Sequence, residues 1–122
     1  MTRRVVALVD DLMVRSRLEA AAPPDLGLAF PRDADELAAA LVPPPDLVLV
    51  GLAATRLPWP ELIRTARQAA PAVPIIAFGP HRDLALRSRA LEAGADRVLA
   101  NSALMVALPE LLRGRPLRAS EQ

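Results

Sequence analysis

The chain has no cysteine, no lysine and no tyrosine, and only one histidine among its 122 residues. Without cysteine there is no disulfide, no thiolate metal site and no cysteine nucleophile. Without lysine there is no Schiff-base amine and no compact ammonium to meet a phosphate. Aromatics are scarce, at 2%, so no stacking platform for bases is present. An excess of charge is lacking too: 15 basic against 14 acidic residues leave a net +1. No window approaches the ~18 uninterrupted apolar residues that a membrane span needs. The apolar run after Arg3 and Arg4 is short and is cut by Asp10 and Asp11, which excludes a signal peptide. These absences predict a cytoplasmic protein with no membrane partner. Its single domain is expected over residues 1–113, followed by a flexible, polar tail over 114–122.

What is present is a regular alternation. Val5 to Val9 is an apolar run stopped by Asp10 and Asp11, either of which can cap a helix. From Leu12 to Ala22 the spacing turns helical, with Val14, Leu18, Ala21 and Ala22 on one side, and Pro23-Pro24 ends it. A weak strand over Leu26 to Phe30 precedes a short alanine-rich helix opened by Asp33 or Asp35. Leu47 to Val50, Val73 to Phe78 and Arg97 to Ala100 read as further strands. Helices follow them: one entered through Pro60, one over Asp83 to Ala93 with Gly94 as its C-cap, and one capped by Asn101 or Ser102. Pro109 should kink the last helix or remove one of its hydrogen bonds.

Five strand–helix units with buried strands predict an α/β doubly wound parallel sheet, order 2-1-3-4-5, with helices on both faces. Val6, Leu8, Leu47, Leu49, Ile75, Ile76 and Leu99 belong to its expected core. In such a sheet the residue just past a central strand faces the crevice where ligands sit. After "PPPDLVLV" that residue is Gly51, which has no side chain.

The pattern resembles the receiver domain of bacterial response regulators over nearly the whole chain. "VVALVDDLMVRSRL" is similar to that family's first strand and acidic pair, and "PPDLVLVGL" to the strand that delivers its phosphoacceptor aspartate. "VPIIAFGP" resembles the fourth strand, and "ALEAGADRVLANS" the helix, glycine turn and fifth strand, with Ala93 to Asp96 the most specific piece. The resemblance implies that Asp10 and Asp11 match the acids that help hold magnesium. It places Gly51 at the phosphoacceptor, Gly79 at the threonine or serine, and Val98 at the switch aromatic. Asn101 falls at the lysine and Ser102 at the following proline. Only the acids survive. Phosphoryl transfer needs a nucleophile and positive charge on the equatorial oxygens, and this pocket supplies neither.

Several residues carry two readings. Asp10 and Asp11 are either a weak magnesium site or a helix cap; no other cofactor is expected. Gly51 and Gly79 either open the crevice to a ligand or are turn glycines. His81 is a proton-transfer candidate or a solvated residue at a helix start. Trp59 is a loop residue and the exposed aromatic anchor candidate. The arginines of the last third, Arg82 to Arg118, are either a phosphate-binding face or solvated helix surface, and with balanced charge nucleic acid is not the expected partner.

The expected function is that of a pseudo-receiver, a protein-interaction module in bacterial signalling, regulated by binding and not an enzyme. Its partner is another protein or a second copy of the chain. They would meet the face of the fourth helix, fifth strand and fifth helix through Arg87, Arg89, Arg97, Leu104 and Met105. The alternative is a small-ligand sensor using the crevice near Asp10, Asp11, Gly51, Gly79 and Asn101.

Overall fold

Short apolar strands joined by helices, three of them capped by aspartate, fold into five β–α units. The computed structural model describes residues 3–53 and 55–115. Its elements are β1 (Arg4–Leu8), α1 (Leu12–Ala21), β2 (Gly27–Ala29), α2 (Ala34–Ala40), β3 (Leu47–Gly51), α3 (Trp59–Ala69), β4 (Ile75–Gly79), α4 (Leu84–Ala93), β5 (Arg97–Ala100) and α5 (Asn101–Leu112). All neighbouring strands are parallel, in the order β2-β1-β3-β4-β5. The strand order reverses between β1 and β3, so a crevice opens at their C-terminal ends.

β3 and β4 are buried along their whole length. Side chains alternate between the faces of a strand. Val6, Leu8, Val48, Val50, Ile75 and Ala77 therefore pack with Leu37 of α2, Ile63 of α3 and Ala90 of α4. Val5, Ala7, Leu47, Leu49, Ile76 and Phe78 pack with Leu18 of α1 and Leu104 and Leu108 of α5. Every residue expected in the core is at most 5% exposed.

Helix starts follow the aspartates. Asp11 accepts from the Met13 and Val14 amides, Asp33 from Glu36 N and Asp83 from Leu86 N. Two helices depart from this rule: α3 follows Pro58 with no side-chain cap, and the last helix has none either. β5 runs into α5 without a loop, so Ala100 is its N-cap and no side chain caps it; Asn101 and Ser102 are its first helical residues. α5 continues through Pro109 to Leu112, with one backbone bond removed because proline has no N–H. Trp59 also departs from expectation. It opens α3 on the same stripe as Leu62, Ile63 and Ala66, is 6% exposed, and carries the Arg89 guanidinium 5.1 Å above its ring. It is a core residue, not an exposed anchor. Of the tail, Gly114 and Arg115 bond back to Leu111 and Glu110, and 116–122 lie outside the described residues.

One arginine ties the layers together. Arg67 of α3 donates to the carbonyls of Pro71 (2.9 Å), Val73 (2.8 Å) and Gly94 (2.8 Å) and to Asp96 Oδ2 (2.7 Å). The same Asp96 oxygen accepts from Ile75 N at 2.7 Å, and Asp96 N donates to Ile75 O. The end of α3, the start of β4 and the turn from α4 to β5 thus meet on one guanidinium. Gly94 has φ +129°, and a Cβ there would stand 3.2 Å from Arg67 Cβ. That turn takes glycine for both conformation and space.

Urea denaturation checks this ranking. Ile63→Ala should cost about 2–5 kcal/mol as a fully buried truncation, and Arg67→Ala about 2–3 kcal/mol through orphaned carbonyls and an unpaired carboxylate. Leu12→Ala, at a site 76% exposed, should stay within about 0.5 kcal/mol of the parent.

Candidate functional site: the crevice at the strand ends

The first turn after β1 and the ends of β3 and β5 converge on a cavity of about 150 Å³. Asp10, Asp11, Gly51, Thr55, Phe78 and Asn101 line it. Gly79 does not: it ends β4 beside Leu52, whose Cβ lies 3.4 Å from where a glycine Cβ would stand. Gly51 and Gly79 are both buried strand residues, so neither is a turn glycine.

The last position of β3, one residue longer than the sequence suggests, has no side chain of its own but is not empty of atoms. Gly51 and Phe78 are register partners across β3 and β4, so they present the same face. The Phe78 ring takes the room, with Cζ 3.3 Å from where a Cβ at position 51 would stand. A carboxylate projecting from position 51 would have to move that ring first.

The acids are already engaged. Asp11 Oδ1 accepts from Met13 N at 2.8 Å and Val14 N at 3.3 Å, the geometry of a helix cap. Asp10 Oδ2 accepts from Arg56 N at 2.9 Å, holding the loop after β3. Among the described residues no group of three His, Cys, Asp or Glu side chains comes together. Two exposed carboxylates, each with one oxygen committed and no third anionic ligand beside them, do not fit a tight magnesium site. Asn101 offers a dipole without charge.

Thr55 and Phe78 are lining residues that the sequence reading did not place at the site. Thr55 lies in an irregular loop where no periodicity fixes position, and its Oγ1 accepts from Leu57 N at 3.1 Å. That is a local turn contact rather than an activated nucleophile. His81 is exposed in the turn before α4 and does not line the cavity.

The residues expected to form one docking face are not brought together. Leu104 is fully buried and Met105 packs partly against the same layer. Both follow from α5 turning its apolar stripe onto the sheet. Arg97 sits partly buried at the start of β5, lining a pocket at the opposite end of the sheet from the crevice, and Arg89 lies over Trp59. Arg87 remains on the surface, between Leu84 (70% exposed) and Leu91 (42%). Their spacing of three and four residues puts all three on one face of α4, a signal present in the sequence although only Arg87 of the three was named for the face there.

No family model and no curated protein sequence matches the chain. Solved structures do. The chemotaxis response regulator CheY4 of Vibrio cholerae superimposes with a TM-score of 0.73 at 15% identity, over 93% of this chain and 98% of that one. A LuxR-family two-component response regulator from an Aurantimonas species gives 0.68 at 27% identity, over 98% and 91%. NtrX from Brucella abortus gives 0.70 at 18%, over 93% of this chain but only 27% of that longer one. The fold is that of the receiver domains of two-component response regulators.

Three variants test the crevice. Gly51→Asp should destabilise by about 1–3 kcal/mol through overpacking against Phe78, and Phe78→Val in the same chain should recover part of the loss. Asp11→Ala should cost about 1 kcal/mol as a lost cap. The loss should be the same with or without magnesium, read by thermal denaturation.

Proposed function

We propose that this domain is a phosphorylation-independent pseudo-receiver that acts as a protein-interaction module in bacterial two-component signalling, and is not an enzyme. The observation that carries the reading is the Phe78 ring packed over Gly51. The resemblance puts the phosphoacceptor at that position, where there is no side chain and the Phe78 ring stands 3.3 Å from where a Cβ would be, so a side chain there would crowd the ring. Asn101 in place of a cation removes the charge that would stabilise transfer. With no covalent input to shift its population, the surface is available constitutively, governed by fold and concentration.

The proposed docking face is the outer side of α4, where Leu84 and Leu91 flank Arg87. Exposed leucines around a charged centre supply apolar area and a carboxylate-pairing group for a protein partner or a second copy. The crevice supports a small-ligand sensor less well. Its cavity of about 150 Å³ is well below the ~300–1,000 Å³ usual for ligand sites.

Incubation with acetyl phosphate should leave the intact mass unchanged; a stoichiometric adduct would refute phosphorylation independence. The docking face is tested by Leu84→Ser with Arg87→Glu. The pair should weaken self-association or partner capture by about tenfold, equivalent to about 1.4 kcal/mol, and leave the melting temperature almost unaltered. Unchanged association would refute this face.

A further inference from the structure

A second cavity lies at the opposite end of the sheet from the crevice, where β3 and β4 begin. Its volume is about 360 Å³, larger than the crevice. The walls are apolar where Leu47, Pro74, Ile76 and Leu111 meet, and three arginines, Arg3, Arg97 and Arg115, line it beside Asp46 and Asp96.

The guanidiniums are incompletely compensated. Arg3 Nε and Arg97 Nη2 are both buried and have no hydrogen-bond partner among the described residues. Arg3 meets Asp46 only at 3.9 Å, too far for a hydrogen bond. Asp46 accepts instead from Arg4 N at 2.9 Å. Asp96 is taken by Arg67 and Ile75 N, and Arg115 pairs with Glu110 at 2.6 Å. Three guanidiniums face two carboxylates, and the outer partners Arg67 and Glu110 cancel. One net positive charge is left in a partly desolvated, apolar-walled pocket. Gly114 closes over it so tightly that a Cβ there would stand 2.6 Å from Arg3 Nη1.

We infer that this pocket binds a small carboxylic acid with an aliphatic body. Arginine forks match a planar carboxylate in two parallel N–H···O bonds. The hydrocarbon portion would lie against Leu47, Ile76 and Leu111, giving the combination of apolar wall and few polar anchors typical of small-molecule sites. Asp46 and Asp96 at the same pocket oppose a second negative charge, which selects a monoanion over a phosphate dianion. The site is independent of the crevice and of the proposed docking face.

Sodium hexanoate titrated into the full chain, against sodium chloride at equal ionic strength, tests the inference. At ten times its dissociation constant, hexanoate should raise the melting temperature by about 5 °C. Amide NMR shifts should change at Leu47, Ile76, Arg97 and Leu111. Hexanamide, which keeps the chain and lacks the charge, should do neither, and inorganic phosphate should bind at least tenfold more weakly. Arg97→Gln should abolish the response while Arg87→Gln retains it. Should Arg97→Gln fail to fold, the shift map on the unaltered chain decides alone. Shifts confined to Asp10, Gly51 and Asn101, an equal response to hexanamide or phosphate, or no saturable response would each overturn the inference.

Discussion

Two central strands, β3 and β4, are covered on both faces, and most other features of the molecule follow from that. A parallel strand buried on both sides must be apolar at every position, which Leu47-Val48-Leu49-Val50 and Ile75-Ile76-Ala77-Phe78 satisfy. Two helical layers are then needed to keep water away: α2, α3 and α4 on one face, α1 and α5 on the other. α5 serves this purpose so fully that Leu104, Ala107, Leu108, Leu111 and Leu112 are all buried. These five residues are structural before they are anything else, while Val106 of the same helix is 75% exposed.

The two ends of this sheet have opposite characters. At the C-terminal end, the crevice holds two carboxylates committed to backbone amides and an aromatic ring pressed into a glycine gap. It is small and lacks positive charge. The N-terminal end carries Arg67 bound to Asp96 and three carbonyls, and beside that clasp the pocket of Arg3, Arg97 and Arg115. Arginine suits both the structural clasp and the proposed carboxylate pocket because its fork can satisfy several acceptors at once, whereas an ammonium is a point charge. A chain without lysine has cationic chemistry only of the first kind.

Phe78 shows how the sheet keeps its packing beside a strand residue that has no side chain. Removing the side chain at position 51 leaves a gap beside β4, and a gap in a close-packed interior forfeits contacts. The register places Phe78 next to it, and its ring fills the space.

The strands, their order and the identity of the core were legible in the sequence, because periodicity is local and repeats along the chain; capping was legible only as the choices Asp10 or Asp11 and Asp33 or Asp35, which the structure resolves to Asp11 and Asp33. Gly94 was legible for the same reason, as a C-cap just past a helical pattern. What required the tertiary structure is everything that depends on two distant segments meeting. Trp59 looks like a loop anchor between two prolines, but the helix begins at it and turns it inward. Leu104 and Arg97 look like neighbours on a surface, but one faces the sheet and the other sits at its far end. Gly51 reads as an empty position until its cross-strand partner is known. Arg67 and Asp96 are 29 residues apart and show no shared pattern, yet a single short bond joins them. Sequence periodicity specifies which face of an element is apolar; only the packed chain decides which side chains come within bonding distance.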